Sequence, residues 1–202
     1  MNMNSHLSDI FLIHLIIMKK DLYIIVFILL SNILFSCNTF QSQNTNRTHW
    51  KEDIAENIPL LGHRNWIVIT DKAFPIQTKA GIEMIYAEGS YEDVLSFVTD
   101  QLNSSTHIYG HFYQDKELTF LDESICPGID DYRLIQDQYI PKNKVQYINH
   151  ESLLNKIDSI SPFYKVLVVK TNLVLPYTST FIELDCKYWN SEKQQELNKK
   201  MQ

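Results

Sequence analysis

Cysteine, glycine and runs of like charge are scarce in this chain, and each shortage excludes a class of protein. Of its 202 residues only 3 are Cys and 5 are Gly, and no Cys-x-x-Cys spacing indicates a metal site. The 18 Lys and Arg residues are scattered and the formal net charge is -6, so no basic stripe offers a surface for nucleic acid. We therefore expect neither a cofactor nor a nucleic-acid partner.

Apolar residues, by contrast, are plentiful enough to build one core. The chain is 45% hydrophobic and 21% charged, and its length suits one globular domain but hardly two. Abundant Tyr, Phe and Ile with few glycines are more typical of a mixed α/β or β-rich domain than of a helical bundle. No internal repeat is present.

The first 49 residues carry the features of an export signal followed by a tether. Residues 1–17 precede a second Met, and we interpret them as untranslated upstream sequence. Residues 18–36 begin with Met-Lys-Lys, continue in an apolar run at 22–30, and end in Leu-Phe-Ser just before Cys37. This order indicates a bacterial lipoprotein signal, which makes Cys37 the expected lipidation site and residues 37–49 a polar tether. An uncleaved membrane anchor is the alternative.

A lipid-anchored chain would reside in the cell envelope, at a membrane surface. Cys126 and Cys186 are able to pair in such a compartment, but they stand far apart in the sequence. Two leftover cysteines without close spacing make a weak case for a disulfide. We therefore favour free, partly buried thiols.

Strand-like and helix-like patterns alternate along residues 50–186, the expected domain. WIVIT at residues 66–70 is nearly all apolar, which predicts a strand covered on both faces. Ser90 with Asp93 three residues later predicts the N-cap of a helix that runs to about Asn103. The remaining segments are strands at 82–87, 107–113, 144–148, 165–171 and 179–185, and helices at 51–61, 127–139, 151–157 and in the polar tail 187–202. The alternation predicts an α/β fold with a largely parallel central sheet and helices on its faces.

Polar side chains follow three of these strands. Asp71 stands at the carboxyl end of the first strand, His150 follows the strand at 144–148, and Tyr177 follows the strand at 165–171 after a short loop. Loops at the carboxyl ends of parallel strands converge on the ligand crevice of such a sheet. The three side chains are therefore expected to meet.

Segments that occur in a fixed order resemble the RbsD/FucU family of sugar mutarotases, which includes D-ribose pyranase and L-fucose mutarotase. The first pairs a Leu-Gly-His tripeptide with an Asp and a Phe-Pro turn, and the later ones hold a strand-His-Glu-helix segment and a C-terminal Pro-Tyr strand. They are LGH at 61–63 with Asp71 and Phe-Pro at 74–75, VQYINHESLLNKI at 145–157, and KTNLVLPYTSTFIEL at 170–184. The resemblance spans roughly residues 50–185, nearly the whole domain.

This resemblance implies an α/β subunit of a ring-like decamer, with monosaccharide sites near the subunit interfaces and no metal. It implies that His63 is the general acid/base and that Asp71, His150 and Tyr177 contact sugar hydroxyls. Ser179 stands where the family has the Asn of a Tyr-x-Asn motif, so it becomes a further expected sugar contact. The implied function is an isomerase that interconverts anomers or ring forms of a free sugar.

The chemistry of that reaction suits these residue types on independent grounds. Opening a sugar ring requires that a proton leave the anomeric hydroxyl and that another reach the ring oxygen. Histidine titrates near neutral pH and serves in both directions, while carboxylate and phenol groups orient hydroxyls by hydrogen bonds. No redox step or covalent intermediate is needed.

Departures from the family pattern support a rival function. Lys170 takes the place of an Arg, Asn172-Leu173 stands where Gly-Glu is usual, and Ser179 replaces an amide. A non-catalytic sugar-binding or scaffold lipoprotein that kept the fold is therefore the alternative. A different small-molecule isomerase or lyase that reuses the pocket is a third possibility.

Structural roles compete with each expected site residue. His63 ends a helix-like run and suits a cap, Asp71 precedes a turn and suits an Asx-turn, and His150 suits the N-cap of the following helix. Tyr177 is suited to packing at an interface. A two-histidine metal site on His107 and His111 lacks a third ligand at a sensible spacing.

His63 and Asp71 flank one predicted strand, which has a consequence for assembly. A fully extended run of this length holds them about 26 Å apart at the usual strand rise. If both serve one site, either the chain bends at Arg64-Asn65 or a neighbouring subunit supplies one of them. The stretch therefore predicts an oligomer as well as a reaction.

Overall fold

The structure, a computed structural model, describes residues 49–202. The expected signal, Cys37 and nearly all of the tether lie outside this range. The strands are β1 (Trp66–Thr70), β2 (Ile82–Tyr86), β3 (Ile108–Asp115), β4 (Val145–Ile148), β5 (Val166–Lys170) and β6 (Thr180–Cys186). The α-helices are α1 (Trp50–Asn57), α2 (Tyr91–Ser104), α3 (Ile129–Tyr139), α4 (His150–Ile160) and α5 (Ser191–Lys200). Within residues 49–202, none of these helices combines the length and apolar character that crossing a bilayer requires.

A single 6-stranded sheet organises the domain, in the order β2-β5-β1-β6-β3-β4. The pairs β1–β5, β2–β5 and β3–β4 are parallel, as the alternation of strands and helices predicts. Strand β6 differs, because it runs antiparallel to both of its neighbours, β1 and β3. The fold is thus mixed α/β, and the predicted largely parallel sheet is interrupted at its centre.

Strand β1 shows why the apolar run WIVIT folds as a central strand. All 5 of its residues are buried, and successive side chains enter different cores because they point to opposite faces of the sheet. Ile67 and Ile69 join helices α1, α2 and α3 on one face, whereas Trp66 and Val68 join helix α4 on the other. The prediction of a strand covered on both faces is confirmed.

Local signals define most helix starts. Ser90 accepts a hydrogen bond from the backbone N–H of Asp93, and the Asp93 carboxylate accepts one from the Ser90 backbone N–H, which completes a capping box. Helix α3 begins later than Pro127, at Ile129, because Gly128 takes the cap position with φ 93. Tail helix α5 forms as predicted, is capped by Asn190 and is exposed along its length.

Gly81 lies where two chain segments approach each other closely, just before strand β2. A Cβ atom there would overlap the backbone carbonyl oxygen of Ser161, at the end of helix α4. By contrast, a Cβ atom on Gly62 would meet only Asn65 Oδ1, at 4.0 Å. Backbone atoms cannot retreat as a flexible side chain can, so only the first position demands glycine.

We expect Gly81→Ala to lower the free energy of unfolding by about 3 kcal/mol or more, because the backbone of residues 161–164 must shift. Gly62→Ala is the matched control and is expected to change it by less than about 1 kcal/mol. Urea unfolding followed by circular dichroism measures both variants. Equal stabilities would show that the two segments do not touch as described.

Candidate functional site

Four side chains meet where strands β1, β3 and β4 end, and we call them the carboxyl-end cluster: Asp71, Asp115, His150 and Tyr177. The Nδ1 atom of His150 lies 3.2 Å from Oδ1 of Asp115. The ring of Tyr177 stands edge-on to the His150 imidazole, with 5.4 Å between centroids. Asp71 is near enough that its negative charge helps to raise the pKa of Asp115. The predicted meeting of Asp71, His150 and Tyr177 is thus seen in the fold.

Asp71 and His150 reach this cluster through the turns that follow their strands. Asp71 Oδ1 accepts a hydrogen bond from the Ala73 N–H at 2.6 Å, so the Asx-turn role is real and occupies one carboxylate oxygen. His150 is the first residue of helix α4, and Asn149 holds the N-cap position. The interpretation of His150 as the N-cap is therefore wrong. Its backbone N–H instead donates to Glu117 Oε2 at 3.0 Å, which leaves the imidazole free for other roles.

Tyr177 adopts a backbone conformation that non-glycine residues rarely take, with φ 57. The next residue, Thr178, holds this geometry from both sides. Its hydroxyl donates to the Leu175 carbonyl at 2.7 Å, and its own carbonyl accepts from the buried hydroxyl of Tyr132 at 2.9 Å. A non-glycine residue in the left-handed conformation costs roughly 1–2 kcal/mol, so the conformation of Tyr177 lowers the stability of the fold by about that amount.

A buried polar network on the sheet face covered by helices α2 and α3 supports that loop. Gln114 Nε2 donates to Tyr132 at 3.0 Å and to Thr180 Oγ1 at 2.9 Å, and Tyr91 shares a 2.6 Å hydrogen bond with Thr180. Burial raises the pKa of Tyr91 and of Tyr132, which keeps both phenols neutral donors. The network thus fixes the start of β6, and with it the position of Tyr177.

Asp115 is the residue of the cluster that the sequence analysis missed. It ends strand β3 with 0% of its surface exposed. Burial raises the pKa of Asp115 to about 6; the charges of Glu117 and Asp71 add to that shift and His150 opposes it. In sequence it sits between Gln114 and Lys116, a polar context typical of an exposed turn, so nothing local signals its burial.

Ser179, the remaining expected contact, and Lys170, which stands in the place of the family's Arg, lie close by in the fold. Ser179 is buried, next to the first residue of β6. Lys170, at the end of β5, donates from Nζ to the Phe74 carbonyl at 2.8 Å. This bond ties the turn after Asp71 to the neighbouring strand, so Lys170 acts on the shape of the site.

His63 belongs to a second group at the opposite end of the sheet, which we call the amino-end cluster: His63, Tyr109, His111 and Asp185. The His63 Nδ1 atom lies 2.7 Å from Asp185 Oδ1. Tyr109 donates its hydroxyl to Asp185 Oδ2 at 3.2 Å, and His111 Nε2 lies 3.4 Å from the same oxygen. Within one chain, therefore, His63 and the carboxyl-end cluster lie at opposite ends of β1.

In the amino-end cluster, hydrogen bonds stabilise the charged form of the Asp185 carboxylate. Partial burial acts to raise the pKa of Asp185, but hydrogen bonds from the Cys186 backbone N–H, His63, His111 and Tyr109 outweigh it and lower the pKa. Arg64, with φ 73, turns the chain here and donates from Nε to His63 Nε2 at 3.2 Å. Asp185 therefore orients His63 through Nδ1.

A cavity of about 550 Å³ opens beside His63 and Asp185. Its other wall is formed by Tyr188 and Trp189, which lead into helix α5, and by Gln194 near the start of that helix. Trp189 is 42% exposed, and its indole N–H donates to Gln194 at 3.0 Å. The C-terminal tail thus folds against the face that carries His63.

The structure does not bring His107 and His111 together as a metal pair. The His107 ring bonds to the Leu61 carbonyl at 3.0 Å and to Ser105 Oγ at 2.9 Å, away from the cluster around Asp185. Among residues 49–202, no group of three or more His, Cys, Asp or Glu side chains is placed to hold a metal ion. Cys126 and Cys186 are free thiols, and Cys126 is buried.

Several solved structures show limited similarity to this chain. RbsD of Bacillus subtilis in complex with D-ribose is 14% identical, with a TM-score of 0.48 over 66% of this chain and 91% of its own. The fucose mutarotase of Streptococcus pneumoniae with L-fucose is 16% identical, with the same TM-score and coverage. FucU of Bifidobacterium longum is 10% identical, with a TM-score of 0.43 over 66% of this chain and 94% of its own.

No protein-family model and no curated protein sequence matches the chain. A function for this chain is therefore proposed from the residues of the two clusters.

Asp115 gives a pH-dependent test of the carboxyl-end cluster. Because the folded state binds this proton more tightly than the unfolded state, whose pKa is near 3.8, wild-type stability should fall as pH rises from about 4 to about 6. The loss of stability caused by ionised, buried Asp115 is complete above about pH 6 and absent below about pH 4. Asp115→Asn removes the charge, so we expect a free energy of unfolding about 1–3 kcal/mol above wild type at pH 8, with little difference at pH 4.

Urea unfolding at a series of pH values measures this effect. Asp158→Asn is the control, since Asp158 is half exposed and paired with Lys79 on the surface. It should change stability by less than about 1 kcal/mol. A loss of stability in Asp115→Asn at pH 8 would mean that the Asp115 carboxylate is well paired, contrary to the structure.

Proposed function

We propose that the protein is a mutarotase-like isomerase that interconverts the anomers or ring forms of a free monosaccharide. The observation that carries the proposal is the convergence of Asp71, His150 and Tyr177 at one end of the sheet, each from a different strand. The same residues occupy the positions that the resemblance to sugar mutarotases assigns to sugar contacts. Carboxylate, imidazole and phenol groups together supply the donors and acceptors that a polyhydroxylated ligand requires.

Each residue has a role in this proposal that its surroundings support. The free oxygen of Asp71 accepts a hydrogen bond from a sugar hydroxyl, while its other oxygen holds the turn. Tyr177, fixed by the hydrogen bonds of Thr178, presents its ring and hydroxyl beside His150. Ser179 offers a further hydroxyl at the start of β6. These contacts position a sugar ring, which is the larger part of catalysis for a reaction with a low barrier.

His63 enters the proposal from a second copy of the chain. Its ring is held by Asp185 at the amino end of β1, whereas Asp71 follows the carboxyl end of that strand. One sugar therefore cannot touch both residues of one subunit. We propose that subunits associate so that the amino-end cluster of one copy completes the carboxyl-end cluster of another, in a homo-oligomer.

The test is the rate of anomer exchange, measured by NMR saturation transfer over a panel of pentoses, hexoses and deoxysugars. Wild type should accelerate exchange of at least one sugar. His63→Ala and Asp71→Asn should each reduce that acceleration by about 100-fold or more, because each removes a proton carrier or a charged contact. Lys79→Ala, which alters an exposed surface pair, is the control and should leave the rate unchanged.

Mixing the two inactive variants tests the shared site. If copies exchange, a mixture of His63→Ala and Asp71→Asn subunits should recover up to about a quarter of wild-type activity, since some interfaces then pair two intact clusters. A strictly monomeric protein, or a mixture with no recovery after exchange, would contradict the shared site.

A non-catalytic sugar-binding protein is the second candidate, and specific residues favour it. Ser179 replaces the family's Asn, and no carboxylate stands at Asn172-Leu173 where Gly-Glu is usual. The exchange experiment separates the two candidates. Sugar-dependent chemical-shift changes without faster exchange would support this alternative and overturn the isomerase.

We also propose that the domain is held at a membrane surface through lipid on Cys37, in the cell envelope. The support is the order of basic, apolar and small residues before that cysteine. In a bacterial expression host, Cys37→Ser should abolish incorporation of labelled fatty acid and release the protein from the membrane fraction. Cys126→Ser is the control and should retain the label. Label that persists in Cys37→Ser would rule out this anchor.

A further inference from the structure

Asp115 and His150 carry polar atoms that the fold buries and leaves without hydrogen bonds. Within residues 49–202, neither carboxylate oxygen of Asp115 and not the Nδ1 atom of His150 has a hydrogen-bond partner. The two groups lie 3.2 Å apart, within ion-pair distance, but they are not aligned for a hydrogen bond. A buried carboxylate normally finds several partners, so a fully buried one without any is expensive to maintain.

The sheet register places a further polar group, Thr70, on the same face of the sheet as this pair. Thr180 of β6 lies opposite Ile69 of β1 and opposite Gln114 of β3. One residue further along β1 and β3, Thr70 and Asp115 lie on either side of Ser179, the residue just before β6. Successive side chains alternate between faces, so Thr70 and Asp115 point to the face of helix α4, opposite to Gln114. Thr70 Oγ1 is also buried without a partner.

We propose that Asp115 is a positioning residue for His150, and that the Asp115–His150 pair makes His150 a proton carrier of the sugar site. This inference deepens the proposed function and rests on it. The Asp115 carboxylate accepts the Nδ1 proton of His150, which sets the tautomer and leaves Nε2 to face the sugar. A rotation of the imidazole aligns the Nδ1 proton with the carboxylate and closes the pair.

The geometry of His150 fits this role better than that of a simple contact. Its side chain is 27% exposed, so one part of the ring meets Asp115 inside while the rest is open to a ligand. No hydrogen bond within residues 49–202 involves Nε2. Tyr177 packs edge-on and limits how the imidazole turns. The arrangement therefore presents one oriented nitrogen outward.

The proton transfers balance when His150 works with His63 of a second copy. Nε2 of neutral His150 takes the proton of the anomeric hydroxyl, and the released electron pair forms the carbonyl at C1. The bond between C1 and the ring oxygen breaks, and the ring oxygen takes a proton from Nε2 of protonated His63, a state in which Arg64 no longer donates to that nitrogen. Closure on the other face of the carbonyl reverses both transfers and returns both histidines to their starting states. Asp115 stays ionised and stabilises protonated His150.

Several charges face Asp115 and decide how activity depends on pH. Asp71 from the end of β1, Glu117 from the turn after β3 and His150 from helix α4 all act on it. The pair works with Asp115 ionised, and the pKa of Asp115 is raised to about 6. Exchange activity should therefore rise as pH increases through about 6. Removing the Asp115 carboxylate should abolish that limb of the profile.

The experiment compares wild type with Asp115→Asn, Asp115→Ser and His150→Gln. The matched control is Glu151→Gln, which removes an exposed carboxylate next to His150 on helix α4. Saturation transfer measures exchange of the accelerated sugar from pH 4.5 to 8.5, and ¹⁵N NMR of the imidazole reports its tautomer. We expect His150→Gln to lose about 100-fold and both Asp115 variants about tenfold or more. The Asp115 variants should also lose the acidic limb and lower the share of His150 protonated at Nδ1, with the control unchanged.

Other results would overturn the proposal or separate it from the proposed function. Exchange within twofold of wild type in both Asp115 variants, with the acidic limb retained, would overturn the proposal. If wild type accelerates no sugar, the proposed function fails, and the tautomer measurement then decides the pairing alone. A changed His150 tautomer in Asp115→Asn supports the pairing, and an unchanged one refutes it. Because Asp115→Asn is expected to be more stable than wild type, loss of folding would not obscure the result.

Discussion

Strand β6 runs antiparallel between β1 and β3, and this one insertion determines where the polar side chains of the protein lie. Since its direction is reversed, β6 starts where its neighbours end and ends where they start. The loop with Tyr177 and Ser179 is thereby delivered to the carboxyl ends of β1 and β3, beside Asp71 and Asp115. Asp185, near the other end of β6, is delivered to the opposite edge, where it holds His63. A wholly parallel sheet would not separate the two clusters in this way.

The carboxylates at the two ends of the sheet have different surroundings, and the difference supports the proposal that the ligand binds at the carboxyl-end cluster. Asp185 is satisfied, because it collects hydrogen bonds from Cys186, His63, His111 and Tyr109 that lower its pKa. Asp115 is fully buried, makes no hydrogen bond to any residue of the part of the chain that the structure describes, and has its pKa raised to about 6. Unpaired buried charge of this kind lowers stability and persists where function needs it. Positive φ angles at Arg64 and Tyr177 add local strain close to each cluster.

Pattern and spacing in the sequence predict much of this fold, since the relevant interactions are local. The apolar run at 66–70 and the Ser90–Asp93 pair predict a doubly covered strand and a capped helix, and both form. Residue position after predicted strands also anticipates that Asp71, His150 and Tyr177 converge. Strand direction cannot be predicted in this way, because an apolar run reads alike in parallel and antiparallel sheets. The cap of helix α4 was also misplaced, by one residue, because Asn149 and His150 both suit helix starts.

Asp115 shows the limit of sequence reasoning most clearly. Its neighbours in sequence are polar, and its burial arises from β6 and helix α4, which are far away along the chain. Asp185 escaped notice for the same reason, since its partner His63 is 122 residues distant. In both cases the functional environment is made by tertiary contacts between segments that no local pattern connects.

The central claim is that a monosaccharide binds at the carboxyl ends of β1, β3 and β4, around the Asp115–His150 pair. Amide ¹H–¹⁵N spectra of the full chain, recorded during titration with the panel sugar that gives the largest response, test it most directly. The account predicts the largest shift changes at the amides of Lys72, Lys116, His150 and Thr178. Changes confined to the amides around Tyr188 and Trp189, with those four unmoved, would contradict it.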